Sequence, residues 1–369
     1  MSEPLKNHFG PEVPARIGDM IEAVHPAFDG DAFLSAALPG FEDLEIMGRA
    51  RHISAALAVA LPPDRARAIE ILLASLKADK NGSLLSGMGA FLYLPYVFFV
   101  AEQGLDCFEI SMLAQYELTK VFTAEFSIRA FLEARPEETL DRLRLWARDS
   151  DHHVRRLVSE GTRPRLPWAP RLKQFQQDPT PVLELLELLK DDPEEYVRRS
   201  VANNLNDISK DHPEVVVGVT RRWWDGGGPD RRRLVRRALR TLIKSGDPGA
   251  LGVLGFGADS PIRIEGILCE PKTLPIGGKL RLTVEISNPS GREAGALVDL
   301  KIHFVKANGT LSPKVFKGGQ KILGPGEAAR IPKTISVAQH STRTHYPGIH
   351  RVEIMVNGKV YPGVDFELY

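Results

Sequence analysis

The sequence predicts two domains of different class: a HEAT-like α-helical repeat solenoid over residues 1–257, then an immunoglobulin-like β-sandwich over residues 258–369. Three observations carry this. Up to about residue 257 apolar side chains recur at three- and four-residue intervals, as in Ile69, Leu72, Leu73 and Leu76, the period of a buried helix face. A Val-Arg-Arg triplet recurs at Val154, Val197 and Val235, at intervals of 43 and 38 residues, which is the spacing of paired-helix repeats. Beyond residue 260 the chain changes to short runs rich in Val, Ile, Leu and Thr, separated by turn residues. The length of 369 residues suits two domains, and 43% hydrophobic with 26% charged residues excludes a disordered chain.

Within the helical half, breakers fall between the periodic stretches, at Pro62-Pro63, Asp79-Lys80-Asn81-Gly82 and Asp178-Pro179. Residues 81–101 carry no charge over 21 positions, long enough to span a membrane. Gly82, Gly87, Gly89 and Pro95 interrupt that run, so a buried helix pair is expected instead. Each Val-Arg-Arg triplet follows an acidic turn: Asp149-Ser150-Asp151, Asp191-Asp192-Pro193 and Asp230. In a solenoid the second helix of each pair lines a concave face, so the repeated arginines are expected along one groove.

In the β half, residues 280–288, 296–305, 329–337 and 349–356 read as strands, and about seven strands are expected in all. Asn288-Pro289-Ser290-Gly291, Asn308-Gly309 and Gly324-Pro325-Gly326 supply turns. Asn357-Gly358, between Ile354-Met355-Val356 and Val360-Tyr361, is a strong two-residue hairpin signal. The boundary between domains is placed in the glycine-rich stretch from Gly252 to Gly257.

A formal net charge of +1 conceals a segregation. Residues 1–140 have a net charge of −9, while residues 141–257 and 258–369 each have +5. Residues 142–173 hold nine basic and three acidic side chains, and residues 221–244 nine and two. Both clusters are mostly arginine, which binds phosphate bidentately and stacks on planar groups. Such a patch on a near-neutral protein is an electrostatic footprint for nucleic acid, the alternative being solvated helix faces. Cys107 and Cys269 are the two cysteines, far apart and without a Cys/His cluster, so neither a zinc site nor a disulfide framework is expected. The first residues lack a basic segment followed by an apolar run, which points to a cytoplasmic protein.

Few residues stand out as chemical candidates. Glu125 lies between Phe122 and Phe126, expected on the buried side of a helix, with Glu125 beside it at a cleft margin; an ion pair with Arg129 is the alternative. Asp207 ends Asn203-Asn204-Leu205-Asn206-Asp207, a run of poor helix formers late in a helix, where an aspartate also opposes the helix dipole. Arg199, Asn203 and Asp207 share one face at four-residue spacing. Helix termination explains the run equally well. Trp168 sits in Arg163-Pro164-Arg165-Leu166-Pro167-Trp168-Ala169-Pro170-Arg171, expected as a stiff extended connection whose indole either stacks on a base or sugar or plugs a gap between helices. Trp223-Trp224 reads as packing and rim. Gly226-Gly227-Gly228 and Gly277-Gly278-Lys279 lack phosphate-loop spacing, and His152-His153, His340, His345 and His350 form no metal pattern.

These residues resemble the AlkC-type DNA-alkylation-repair glycosylases, relatives of the AlkD type. The resemblance lies in Pro4-Leu5-Lys6-Asn7, the segment from Phe122 to Leu132, Val154-Arg155-Arg156-Leu157, Glu160-Gly161-Thr162-Arg163-Pro164-Arg165-Leu166-Pro167-Trp168, and Asn203-Asn204-Leu205-Asn206-Asp207-Ile208. Together these span most of the first 257 residues, and the arginine, proline and tryptophan segment is the specific part. The β half is similar to the immunoglobulin-like domain that some members append. Ala130 stands where the family has proline.

The resemblance implies a glycosylase for cationic alkylated bases, 3-methyladenine and 3-methylcytosine above all, acting in base excision repair without rotating the lesion into an enclosed pocket. By position its acidic residues fall on Glu125 and Asp207, and its aromatic lesion contact on Trp168. Its phosphate-binding arginines fall on Arg156, Arg163 and Arg165. The residue chemistry agrees: a cationic base is already a good leaving group, and a carboxylate stabilises the charge that grows on the sugar. No lone lysine accompanies the carboxylates, so a monofunctional enzyme without strand cleavage is expected. The expected partner is double-stranded DNA, bound by a monomer, with no cofactor, metal or membrane expected. The competing class is a non-catalytic HEAT-repeat scaffold, in which carboxylates in a phosphate-facing groove have no use.

Overall fold

The computed structural model describes residues 5–78, 87–257, 260–339 and 344–369. Asp79 to Gly82 and the start of the uncharged stretch, with Asn81-Gly82-Ser83, lie outside the described residues, as do Pro4 and His340. By compactness the chain divides into two units, Met1–Asp211 and His212–Tyr369.

The first unit is helical: α1 (Glu12–Glu22), α2 (Gly30–Ala37), α3 (Ile46–Ala60), α4 (Arg65–Ala78), α5 (Leu94–Gln103), α6 (Phe108–Val121), α7 (Ser127–Ala134), α8 (Pro136–Trp146), α9 (His152–Gly161), α10 (Lys173–Gln177), α11 (Thr180–Leu189) and α12 (Glu195–Ile208). α9 packs against α6, α8, α11 and α12 and so sits at the centre of the helices that carry the site. Val154, Leu157 and Val158 of α9 and Val197, Val201 and Leu205 of α12 are all fully buried, as their three- and four-residue spacing requires. In place of a second buried helix, residues 87–93 form a 3-10 stretch leading into the ten-residue, largely buried α5. Pro95 suits the first turn of that helix but not its interior. No helix among the described residues is long and apolar enough to cross a membrane.

The Val-Arg-Arg repeat has a physical meaning in α9 and α12. The valine is buried, and the first arginine reaches back over the preceding acidic turn to carbonyls six and five residues earlier. Arg155 Nη1 donates to the carbonyls of Asp149 and Ser150, each at 2.9 Å. Arg198 Nη1 donates to those of Asp192 and Pro193, at 2.5 and 2.8 Å. Arg155 also grips the Asp192 carboxylate with two bonds, 2.6 and 3.0 Å, and so ties one repeat to the next.

The second unit begins with α13 (Pro213–Trp224), α14 (Pro229–Ala238), α15 (Arg240–Ser245) and α16 (Pro248–Val253). Its strands are β1 (Arg263–Glu270), β2 (Thr273–Leu274), β3 (Lys279–Ser287), β4 (Ala294–Val305), β5 (Leu311–Leu323), β6 (Ala328–Ser336), β7 (Gly348–Val356) and β8 (Lys359–Leu368). They form one sheet in the order β1-β3-β6 and another in the order β2-β8-β7-β4-β5, antiparallel except for the β2–β8 pair. The four runs read as strands from the sequence coincide with β3, β4, β6 and β7 to within two residues. β5 was not legible, because Pro313, Gly318 and Gly319 interrupt it; it is an edge strand with a bulge opposite Val298 and Asp299. At the β7–β8 hairpin Asn357 and Gly358 take φ of 49° and 81°, as a type I′ turn requires. A Cβ on Gly358 would lie 2.6 Å from the Gly246 carbonyl, so the α15–α16 turn approaches the hairpin backbone to backbone.

Candidate active site

A cleft of about 390 Å³ opens in the first unit, lined by Phe91, Phe122, Thr123, Glu125, Phe126, Arg156, Glu160, Arg163, Leu166, Pro167, Trp168 and Tyr196. Five aromatic rings, with Leu166 and Pro167, are joined in this lining by two carboxylates and two guanidinium groups.

Glu125 is not on a helix. α6 ends at Val121, Phe122 adopts φ −145° and ψ −105°, and α7 starts only at Ser127. Thr123 supplies the local reason, its hydroxyl accepting from Glu125 N at 3.3 Å and donating to Glu125 Oε2 at 2.9 Å, a side-chain turn that competes with helix. Phe122 and Phe126 are therefore half-buried cleft residues instead of one buried helix face. The ion pair of Glu125 is with Arg156, Nη1 to Oε2 at 2.7 Å, and not with Arg129. Both Glu125 contacts use Oε2.

The second carboxylate in the cleft wall is Glu160, 6% exposed and absent from the residues singled out by sequence. Its Oε1 accepts from Arg163 Nη1 and its Oε2 from Ser200, both at 2.6 Å. Asp207 lies one residue further back, 2% exposed and outside the cleft lining. Arg163 Nε donates to its Oδ2 at 2.8 Å and Lys210 Nζ to its Oδ1 at 2.9 Å. Arg199 and Asn203 lie on the same face of α12, with Arg199 exposed and Asn203 half-buried, so that stripe runs from solvent into the interior. Neither lines the cleft.

The arginines expected to hold phosphates are engaged inside the protein. Arg156 is shared between Glu125 and Glu160 and stands over the Tyr196 ring at 5.1 Å. Arg163 pairs with Glu160 and Asp207, and Arg165 grips Asp211 with two bonds of 3.0 and 2.6 Å. Burial opposes the charge on Arg156 and Arg163, yet the carboxylates outweigh it and hold both above the ordinary arginine value. The hydrogen bond to Asp211 does the same for Arg165. Arg171, Lys173 and Arg199, in contrast, are exposed and form no salt bridge among the described residues.

Trp168 is 62% exposed and has φ +63°, a left-handed conformation that a bulky residue rarely adopts. The expected extended connection is corrected by this reversal: Leu172 N donates back to the Pro164 carbonyl at 3.2 Å, closing the segment into a compact loop. Arg129, 4% exposed, donates from Nη1 to the carbonyls of Gly161 and Arg163, at 3.1 and 2.6 Å, and from Nη2 to that of Pro170. Burial pushes its pKa down to about 10. Sequence reading gave no site role to Arg129, Glu160, Ser200 or Tyr196. Arg129 and Glu160 each have an oppositely charged residue three or four positions away and so resemble ordinary surface pairs. The His152 and His153 rings lie 4.1 Å apart, tilted by 36°, beside Tyr196, and no group of metal-ligating residues occurs among the described ones. Trp223 is buried, and the guanidinium groups of Arg232 and Arg236 stand over the Trp224 ring at 5.3 and 5.1 Å.

Residues 120–218 match the family described as DNA alkylation repair enzyme, and residues 263–369 match one described as the C-terminal Ig-like domain of uncharacterised protein YhaZ. The uncharacterised protein YhaZ of Bacillus subtilis is 34% identical over 365 residues, 99% of each chain. Among solved structures, the Pseudomonas fluorescens alkylpurine DNA glycosylase AlkC bound to DNA containing an abasic site analogue is 36% identical, with a TM-score of 0.89 and all of both chains covered.

Proposed function

The chain belongs to the DNA alkylation repair enzyme family, in its AlkC-type branch, and on that premise we propose that it is a monofunctional DNA glycosylase for cationic alkylated bases in duplex DNA. The substrates proposed are 3-methyladenine and 3-methylcytosine. The observation that carries the reading is a difference among the three carboxylates. Glu160 and Asp207 have both oxygens engaged, whereas Glu125 uses Oε2 for Thr123 and Arg156 and leaves Oε1 to the cleft.

A methylated base with a positive charge departs without a strong acid, so the slow part is the positive charge that develops on the deoxyribose. Glu125 Oε1 stabilises that charge and orients the attacking water, held in place by its own turn and by Arg156. The Trp168 indole contributes its π face to the same cation and shields it from bulk water. Glu160 and Asp207 hold Arg156 and Arg163 and so keep the wall rigid. Because the cleft is open and its tryptophan exposed, the lesion is attacked without rotation into an enclosed pocket, and selectivity follows the lability of the cationic base. Exposed basic residues hold the phosphates without reading sequence.

The test is release of free base from methylated duplex DNA by the wild type, Glu125→Ala and Asp207→Ala. Release of 3-methyladenine, slowed about 100-fold or more in Glu125→Ala with DNA binding retained, is the expected result. Equal rates in the wild type and Glu125→Ala would move the chemistry to another group. Duplex binding with no excision would make the protein a scaffold.

A further inference from the structure

We infer that Arg129 is a positioning residue for this reaction: it fixes the loop that carries Trp168 against the turn that carries Glu125, and so sets the distance between the two. This rests on the function proposed above. Arg129 stands in the first turn of α7, four residues after Glu125. Its guanidinium bonds carbonyls on both sides of Trp168, those of Gly161 and Arg163 before it and Pro170 after it. The loop is also held by its own arginines on Asp207 and Asp211, and by Gln174 Nε2 donating to the Leu132 carbonyl at 2.7 Å.

Two features separate this from ordinary packing. Arg129 forms no salt bridge among the described residues, although it is 4% exposed, and both of its terminal nitrogens are given to carbonyls at the end of α9 and in the loop. Burying a cation without an ion partner is costly and is retained where nothing smaller supplies the same bonds. Trp168, in turn, holds a left-handed φ of +63°, a conformation that persists only where the surrounding structure enforces it. The planar fork of arginine satisfies three carbonyls in fixed directions, which the single ammonium of lysine cannot reproduce.

The experiment compares wild type, Arg129→Lys, Trp168→Ala and the double variant in single-turnover base release from methylated duplex at saturating enzyme, with duplex affinity measured alongside. Arg129→Lys is expected to lower the rate by about 10- to 100-fold, the scale of a misplaced catalytic group, with a smaller change in affinity. In the Trp168→Ala background the same change is expected to cost less than about 2-fold, because the residue it positions is already gone. Losses that multiply in full would overturn the inference. A second readout uses fluorotryptophan-labelled protein, in which the Trp168 ¹⁹F resonance is assigned by its loss in Trp168→Phe. It should broaden or split in Arg129→Lys, and an unchanged line would also overturn the inference. If Arg129→Lys does not fold, Gln174→Ala loosens the same loop without disturbing a buried charge and should shift the rate and the ¹⁹F line in the same direction. If the wild type releases no base, the proposed function fails, while the ¹⁹F line still upholds or overturns the hold of Arg129 on Trp168.

Discussion

Glu125 and Asp207 are both acidic and both near the cleft, but their surroundings give them different work. Asp207 is buried with a cation on each oxygen, so its removal leaves Arg163 short of a partner in a place with little water. Breaking a buried pair in this way typically costs about 3–5 kcal/mol, so Asp207→Ala should lower the denaturation midpoint markedly. Glu125→Ala takes from Arg156 its 2.7 Å partner but leaves it Glu160 at 3.7 Å, so it should cost less, about 1–3 kcal/mol. Chemical denaturation of both variants checks this. An Asp207→Ala protein that melts like the wild type yet releases no base would return Asp207 to the chemistry. Sequence singled out Asp207 because it breaks a local rule, ending a run of poor helix formers late in a helix, and Glu125 and Trp168 by the company they keep, two phenylalanines and a proline- and arginine-rich segment. It could not rank the carboxylates, since that depends on which oxygens are taken by residues distant in sequence, Arg156 for Glu125 at 31 positions and Arg163 for Asp207 at 44.

Among the helices, α9 carries the most constraints: it brings Arg156 and Glu160 to the cleft, anchors the repeat through Arg155, and begins with His152 and His153. Asp151 caps it, accepting from His153 N at 2.7 Å. Burial, and then the neighbouring His152, hold the His153 pKa below its ordinary value, against the weaker pull of Asp151, with Arg156 and Tyr196 also near. A histidine with a depressed pKa in the fold binds protons less readily than in the unfolded chain. Its contribution to stability is therefore present above the ordinary histidine value and lost as pH falls through the folded value. The denaturation midpoint of the wild type should fall more between pH 7.5 and pH 5.5 than that of His153→Gln, about the range in which histidine titrates. Equal falls would show that His153 is not strained there. At this scale legibility followed periodicity. The α9 and α12 repeats and the strands β3, β4, β6 and β7 repeat cleanly, whereas the turn at 122–126 and the edge strand β5 are set by a threonine hydroxyl and by bulge geometry.

Over the whole molecule, basic charge falls in the two later thirds and acidic charge in the first 140 residues. Composition located the arginine-rich segments but could not tell engaged arginines from available ones. Arg156, Arg163 and Arg165 have carboxylate partners, and releasing them to a phosphate would break the wall that holds Glu125. Arg171, Lys173 and Arg199 are exposed and unpaired among the described residues, and Arg171 and Lys173 follow Trp168 within five positions. Counterion release makes the logarithm of duplex affinity fall with the logarithm of salt concentration by about 0.9 for each phosphate neutralised. Replacing Arg171, Lys173 and Arg199 together by glutamine should therefore reduce that slope by up to about 2.7, with the rate of base release at saturation nearly unchanged. Arg163→Gln and Arg165→Gln should behave in the opposite way, lowering stability and the rate while leaving the slope within about 0.5 of the wild type. Duplex affinity measured across a salt series for the two sets decides it. If the slope drops only when the paired arginines are replaced, then binding must break those ion pairs, and DNA itself would reorganise the cleft.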